Sequence, residues 1–235
     1  MHEIQKVKSY SIWIFIIPFI AINTCLILIT QFQSLFPNQE DIIHNTFPYF
    51  DGGASISRTV RPYPTWLIFK PAMFLTSFLL IKYWFLNKKI IMNFNKNHKH
   101  LKKIIFFGVG SAIALTVHSI FLGIKFDSDL YKLFRRLIMF IFIVFEVTAQ
   151  AYLVATLYSF KDQLIKFINI KVLRLKLILV SILVVVAVIA IPVVSWPGNQ
   201  FKFIKHLLEW DYFLGVIGFY LLTYLMWRKK KHILK

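Results

Sequence analysis

Six stretches of this chain are apolar over about the length that an α-helix needs to cross a lipid bilayer. The hydrocarbon core is about 30 Å thick and a helix rises about 1.5 Å per residue, so one crossing takes about 20 residues. The stretches are residues 12–30, 66–86, 104–122, 137–158, 177–194 and 208–227. Helices satisfy their own backbone polar groups inside a bilayer. The pattern therefore predicts an all-α, polytopic integral membrane protein with six transmembrane helices.

Composition excludes the other protein classes. Hydrophobic residues make up 58% of the 235 residues and charged residues 16%, whereas a soluble domain carries about a quarter charged residues. A soluble globule of this size could not bury so much apolar surface. The single cysteine, Cys25, cannot form an intramolecular disulfide. We therefore expect one transmembrane domain over residues 1–235, with no second domain.

Basic residues collect in alternate segments between the apolar stretches. They lie before the first stretch and in residues 87–103, 159–176 and 228–235, and these segments hold most of the 28 Lys and Arg residues. Because cytoplasmic loops carry an excess of Lys and Arg, both termini are predicted to be cytoplasmic and the loop 32–65 to face outward. Lysines beside spans are attracted to anionic headgroups, which explains the net charge of +18 without a nucleic-acid partner.

Residue usage bears on the host membrane and on the partners. The chain contains no Asn-x-Ser/Thr sequon, and it is rich in Phe, Ile, Lys and Asn, whose codons are AT-rich. These features favour a bacterial inner membrane, with a eukaryotic endomembrane as the alternative. Membrane lipids are the expected partners, a membrane-protein partner stays open, and no cofactor is expected.

The outward loop 32–65 is predicted to be ordered and to carry ligand-binding side chains. Asp51 is followed by Gly52 and Gly53, which favour a tight turn, and three prolines stiffen the flanks. Arginine is suited to bidentate contacts with phosphate. The candidate residues in the loop are Asp51, Ser55, Ser57, Arg58 and Arg61. The alternative is that Asp51 pairs with Arg58 or Arg61 and caps the helix ends.

Glu146 is a carboxylate inside the fourth apolar stretch, where charge is costly and usually marks function or an internal partner. Gln150 lies one turn further on, and Arg135 about three turns earlier on the same face. This polar stripe either lines a cavity beneath the first loop or locks helices together by hydrogen bonds.

His118 lies about one turn below the outer end of the third stretch. It is either a packing residue or a proton-transfer group. No second His or Cys stands at metal-ligand spacing, so no metal site is predicted. Nucleophile elbows, phosphate-binding glycine loops and paired His-Glu metalloprotease motifs are absent from the sequence.

Two residue types predict packing and depth in the membrane. Glycines in the third and sixth stretches are predicted to allow close helix packing; they are Gly108, Gly110, Gly215 and Gly218. Tryptophans near the ends of spans are predicted to lie at the membrane interfaces; they are Trp66, Trp84, Trp196, Trp210 and Trp227.

Two short motifs resemble a known family. The first loop reads PYFDGG over residues 48–53, and Glu209 and Trp210 open the sixth stretch. Together with six spans and cytoplasmic termini, they resemble the family of FRAG, DRAM and SFK-type membrane proteins. That family includes the damage-regulated autophagy modulators and the amino-terminal region of the GPI-anchor lipid-remodelling protein CWH. Its loop motif reads approximately Pro-Tyr-Ile-Ser-Asp-Thr-Gly, so Asp51 matches and Gly52 stands where Thr is expected.

The resemblance implies a role in handling or sensing membrane lipid, and it makes Glu209 a further candidate residue. The first hypothesis is a non-enzymatic lipid-interacting or membrane-assembly-modulating protein that acts through its outward loop, while Glu146 and Gln150 organise the bundle. An alternative is a membrane enzyme that remodels a lipid or a lipid-anchored substrate, with Asp51 or His118 as acid or base. A further alternative is a small-solute or ion carrier that uses Glu146, although the chain lacks the internal repeat of many carriers.

Overall fold

The structure is a computed structural model that describes residues 2–44, 46–124, 128–195 and 201–228. All regular secondary structure among these residues is helical, so the all-α prediction is confirmed. The helices in these ranges are α1 (His2–Gln31), α2 (Pro48–Asp51), α3 (Ile56–Val60), α4 (Thr65–Phe94), α5 (Leu101–Phe121), α6 (Asp129–Ser159), α7 (Lys161–Leu164), α8 (Ile170–Ser195) and α9 (Lys202–Met226).

Five helices are long and apolar enough to cross a membrane. They are α1, α4, α5, α6 and the part of α8 from Ile170 to Ala190. The helix α9 has 25 residues, but charged side chains in its first half lower its hydropathy. Several helices begin before the predicted stretches, as α6 begins at Asp129 rather than at residue 137. Hydropathy marks only the apolar part of such a helix, whereas its backbone hydrogen bonds continue into the polar flank.

The six long helices pack in chain order into a closed ring, in which each contacts the next and α9 contacts α1. Lys8 at the start of α1 donates a hydrogen bond to the carbonyl oxygen of Trp227 at the end of α9. The link between α6 and α8 lies at the same end, because the N–H of Asn169 donates to the carbonyl oxygen of Met226 at 2.8 Å. We call this end the termini end, and we call the opposite end, where α2 and α3 lie, the loop end.

The outside of the ring is apolar. On α8, the side chains of Val185, Val188 and Ile189 are 55%, 62% and 63% exposed. Large apolar side chains at this exposure are costly in water but favourable against lipid. The surface therefore agrees with an integral membrane protein.

Most of the predicted glycine contacts are present. A Cβ atom at Gly108, Gly110 or Gly215 would meet a side chain of the adjacent helix at 2.4–2.7 Å. At Gly218, a Cβ would have nothing within 4 Å, so the prediction of close packing is wrong there.

Three of the tryptophans predicted to lie at the interfaces pack inside the bundle and face protein. Trp84, Trp210 and Trp227 are buried in the bundle. Their rings fill space between helices, as Trp84 does beside Gly108, and burial removes more apolar surface from water and lipid headgroups than an interfacial position does. Trp196 lies outside the described residues.

Candidate functional site

The nine candidate residues lie in three groups. Asp51, Ser55, Arg58 and Glu209 lie where the first loop meets α9; Ser57, Arg61 and His118 lie near the ends of α3 and α5; and Glu146 and Gln150 lie inside the ring. Glu209 of the first group accepts from the N–H of Ser57 in the second, whereas Glu146 and Gln150 bond to residues inside the ring, so the structure does not assemble the candidates into one site.

The first loop docks on the beginning of α9. The indole N–H of Trp210 donates to the carbonyl oxygen of Ala54 at 2.8 Å, and Nδ1 of His206 lies 2.9 Å from the carbonyl oxygen of Gly52. The ring of Tyr49 meets Trp210 edge-on, with centroids 4.8 Å apart. The two motifs that carried the family resemblance are therefore in direct contact.

Asp51 holds the turn of this loop through hydrogen bonds. Its carboxylate accepts from the Thr46 hydroxyl at 2.7 Å and from the backbone N–H groups of Phe47 and Gly53 at 2.7 and 2.8 Å. In the part of the chain that the structure describes, no ion pair joins Asp51 to an arginine. The turn folds around the carboxylate, so these contacts take the place of the alternative pairing of Asp51 with Arg58 or Arg61.

Acidification is expected to loosen this turn. Desolvation acts to raise the pKa of Asp51, but the hydrogen bonds from Gly53, Phe47 and Thr46 lower it below its ordinary value of 3.8. The stabilisation is therefore present above the ordinary pKa and is lost as the pH falls through the lower, folded value. Pepsin cleavage of wild type within residues 46–53, measured relative to Asp51→Asn at the same pH, should rise as the pH falls below the ordinary value of 3.8.

The variant Asp51→Asn provides the control for this pH effect. An amide presents one acceptor oxygen in place of two, so the variant should be cleaved readily throughout the range. Equal, pH-independent cleavage of wild type and Asp51→Asn would show that the carboxylate does not hold the turn.

Two side chains cap the amino end of the short helix α3. The Ser55 hydroxyl oxygen accepts from the N–H of Arg58 at 3.1 Å, and the Glu209 carboxylate accepts from the N–H groups of Ile56 and Ser57. The first N–H groups of a helix lack intrahelical acceptors and favour negative charge. Ser55 and Glu209 therefore fasten the loop, whereas the Arg58 side chain is exposed.

Three basic groups converge beside this loop. Arg61 follows α3 and donates to the Ser57 hydroxyl at 2.9 Å. Its charge and that of Arg135 act on each other, and both act on His118. The Arg135 guanidinium also lies 5.9 Å from the ring centroid of Tyr131. The sequence indicated Arg135 only as part of an inward stripe, and its proximity to Arg61 was missed because the two are on different elements.

The interior group joins three helices. Oε2 of Glu146 accepts from the Ser111 hydroxyl of α5 at 2.6 Å, and Oε1 accepts from the amide of Gln150 at 2.9 Å and from the Tyr220 hydroxyl of α9. The same amide donates to the carbonyl oxygen of Val216 at 3.2 Å. Of the two predicted roles for the stripe, this geometry matches the locking of helices by hydrogen bonds.

Lys176 is a buried polar residue that the sequence analysis placed in a cytoplasmic basic segment. Its side chain does not reach headgroups or water, because it is fully buried and Nζ donates to the Thr223 hydroxyl at 2.7 Å. Nζ also lies 3.8 Å from the ring centroid of Phe219. A signal was available, because Leu173 and Val180 place position 176 on the buried face of α8 by helical spacing.

Among the residues described, no group of three or more His, Cys, Asp and Glu side chains could hold a metal ion. No curated protein and no solved structure matches this chain. The family model described as Frag1/DRAM/Sfk1/Cwh43P N-terminal domain matches residues 9–229, which include the docked loop and α9. The chain therefore belongs to the Frag1/DRAM/Sfk1 family of membrane proteins, and the resemblance predicted from its two motifs is confirmed.

Proposed function

We propose that this protein crosses the membrane six times, with both termini in the cytoplasm, and binds membrane lipid at its outward face without catalysing a reaction. The membrane we favour is a bacterial inner membrane, on the residue usage of the chain. Within this proposal, the loop end faces outward and the termini end, beside which the basic segments lie, faces the cytoplasm.

The contacts of α9 support a sixth span. Its first half carries the charged residues that lower its hydropathy, and two of its polar side chains there, Glu209 and Trp210, bind the first loop. Its second half buries Phe219, Tyr220 and Thr223 inside the ring. The polar half therefore has protein partners, and the apolar half has the packing of a membrane helix.

One observation carries the lipid-binding proposal: the docked loop exposes both aromatic rings and an arginine side chain. Phe47, Phe50 and Tyr63 are 55%, 81% and 54% exposed, and Arg58 is exposed in the same loop. Aromatic rings favour the membrane interface, and arginine binds phosphate. Because Asp51, Ser55 and Glu209 already hold the loop in shape, its exposed groups need not reorganise to meet a lipid.

Native mass spectrometry tests this proposal on protein released from bilayers of phosphatidylglycerol and phosphatidylethanolamine. The double variant Phe50→Ser/Arg58→Ala removes one exposed ring and one exposed charge from the loop. We expect it to retain at least about fivefold less phosphatidylglycerol than wild type, since a charge-assisted contact and buried ring surface are both lost.

The matched control is Phe106→Ser/Lys102→Ala, which removes an exposed ring and charge from the start of α5, at the other end of the bundle. It should retain more phosphatidylglycerol than the loop variant does, because Lys102 contributes only the general attraction of a lysine beside a span. Equal retention in all three proteins, or loss in the control alone, would contradict binding at the loop end. New lipid species formed by wild type during incubation would contradict the non-enzymatic role.

A further inference from the structure

The loop end contains a second group of basic residues, of which Arg61 is exposed and His118 and Arg135 are half-buried. Arg61 follows α3, His118 lies in the last turn of α5, and Arg135 lies near the start of α6. The turn after α5 packs against the backbone of Arg61, because a Cβ at Gly123 would lie 3.3 Å from the Arg61 carbonyl oxygen. On the other side, the Tyr131 hydroxyl of α6 donates to the carbonyl oxygen of Phe121 at 2.7 Å, and Arg135 lies beside the Tyr131 ring. Three separate elements therefore meet at the end of α5.

Two polar atoms in this group are buried without a hydrogen-bond partner. They are Nε of Arg135 and Nδ1 of His118. Buried polar atoms in folded proteins nearly always have a partner, so an unpartnered pair in one place indicates a group that completes them. Neither Arg61 nor Arg135 forms an ion pair with a carboxylate among the described residues.

The charges of these side chains also favour a bound anion. Arg61 and Arg135 act on each other, and both act on His118, whereas Asp41 is the acidic side chain whose charge acts on Arg61. Like charges beside an apolar bundle repel each other more strongly than in water. A bound anion would convert this repulsion into attraction.

We infer that Arg61, Arg135 and His118 form a binding site for a phosphate group, an inference that rests on the proposed lipid-binding function and names its headgroup site. A phosphate presents several acceptor oxygens in a tetrahedral arrangement, so it can accept from donors on three elements at once. Each guanidinium offers paired donors that match phosphate oxygens, and the imidazole adds a further donor. The phosphate belongs to a lipid headgroup or to a soluble phosphate compound.

Binding is measured on detergent-purified protein with three probes: phosphatidylglycerol, diacylglycerol, which lacks the phosphate, and inorganic phosphate. Wild type is expected to bind phosphatidylglycerol at least about tenfold more tightly than diacylglycerol. Arg61→Gln and Arg135→Gln should each weaken phosphatidylglycerol binding by about tenfold or more, the loss expected for one charge-assisted contact. The control Arg136→Gln removes the same charge from the exposed neighbouring residue and should bind as wild type does.

Thermal unfolding in lipid-free detergent separates a binding role from a structural one. Removing one of the two repelling guanidinium charges should leave Arg135→Gln as stable as wild type or more stable. A lower unfolding temperature with unchanged phosphatidylglycerol affinity would overturn the site, as would equal affinities in Arg135→Gln and Arg136→Gln.

The probes also distinguish the source of the phosphate and the fate of the proposed function. Binding of inorganic phosphate with no affinity for phosphatidylglycerol assigns the site to a soluble phosphate compound, and the lipid-binding function then fails while the site stands. Affinity for phosphatidylglycerol that inorganic phosphate does not match assigns the site to a headgroup. Lipid loss in Phe50→Ser/Arg58→Ala, with none in Arg61→Gln and Arg135→Gln, would refute this site and leave lipid binding at the loop tip.

Discussion

Glu146→Ala is expected to lower the free energy of unfolding of the helix bundle by about 2–4 kcal/mol. The change removes three hydrogen bonds at once and leaves the Tyr220 hydroxyl and the Gln150 amide without this acceptor inside the ring, whereas the Ser111 hydroxyl keeps the carbonyl oxygen of Gly108 at 2.8 Å. Individual hydrogen bonds between membrane helices average about 0.6 kcal/mol, so most of the expected loss comes from unpaired buried groups and from the cavity left by the side chain.

Unfolding in mixed detergent micelles, followed by size-exclusion chromatography, measures this effect. Ser119→Ala is the matched control, because Ser119 is also fully buried on α5 but bonds only to Leu115 of its own helix. Glu146→Gln preserves the shape of the side chain and should cost less than half as much as Glu146→Ala. If Glu146→Ala and Ser119→Ala lower the free energy of unfolding equally, the carboxyl group does not lock α5, α6 and α9 together.

The helices and the inward direction of the polar stripe could be predicted because each depends on one segment at a time. Apolar runs of about 20 residues predict helices, and the cost of a carboxylate in lipid predicts that Glu146 faces protein. Its partners Ser111 and Tyr220 lie on other helices. No property of residues 137–158 alone identifies them.

The partners of Asp51 and Lys176 could not be predicted, for a shared physical reason. For Asp51, one of the two interpretations paired opposite side-chain charges, whereas the carboxylate binds the N–H groups of Phe47 and Gly53. Backbone donors are the same at every non-proline position, so sequence does not mark them. For Lys176, the interpretation used the local excess of positive charge and not the helical spacing. That spacing puts the residue on the buried face of α8, where the Thr223 hydroxyl accepts its hydrogen bond.

Gly108→Ala and Gly218→Ala are expected to change stability in opposite directions, although both replace a glycine inside a long helix. Alanine is favoured over glycine in a helix by about 1 kcal/mol. At Gly218 a Cβ has nothing within 4 Å, so the substitution should be neutral or stabilise by up to that amount. At Gly108 the Cβ would lie 2.4 Å from the ring of Trp84, which is fully buried and packed edge-on against Tyr83.

The ring of Trp84 cannot move aside without disturbing α4, so α4 and α5 must separate, and we expect a net loss of about 1–3 kcal/mol in the free energy of unfolding. Unfolding of both variants in the same detergent tests this difference. Trp84→Leu should remove most of the added cost of Gly108→Ala when the two are combined, since the coupling of a double-mutant cycle reports direct contact. Equal shifts in the two glycine variants would mean that helix propensity, and not the approach of α4 to α5, determines the effect at both positions.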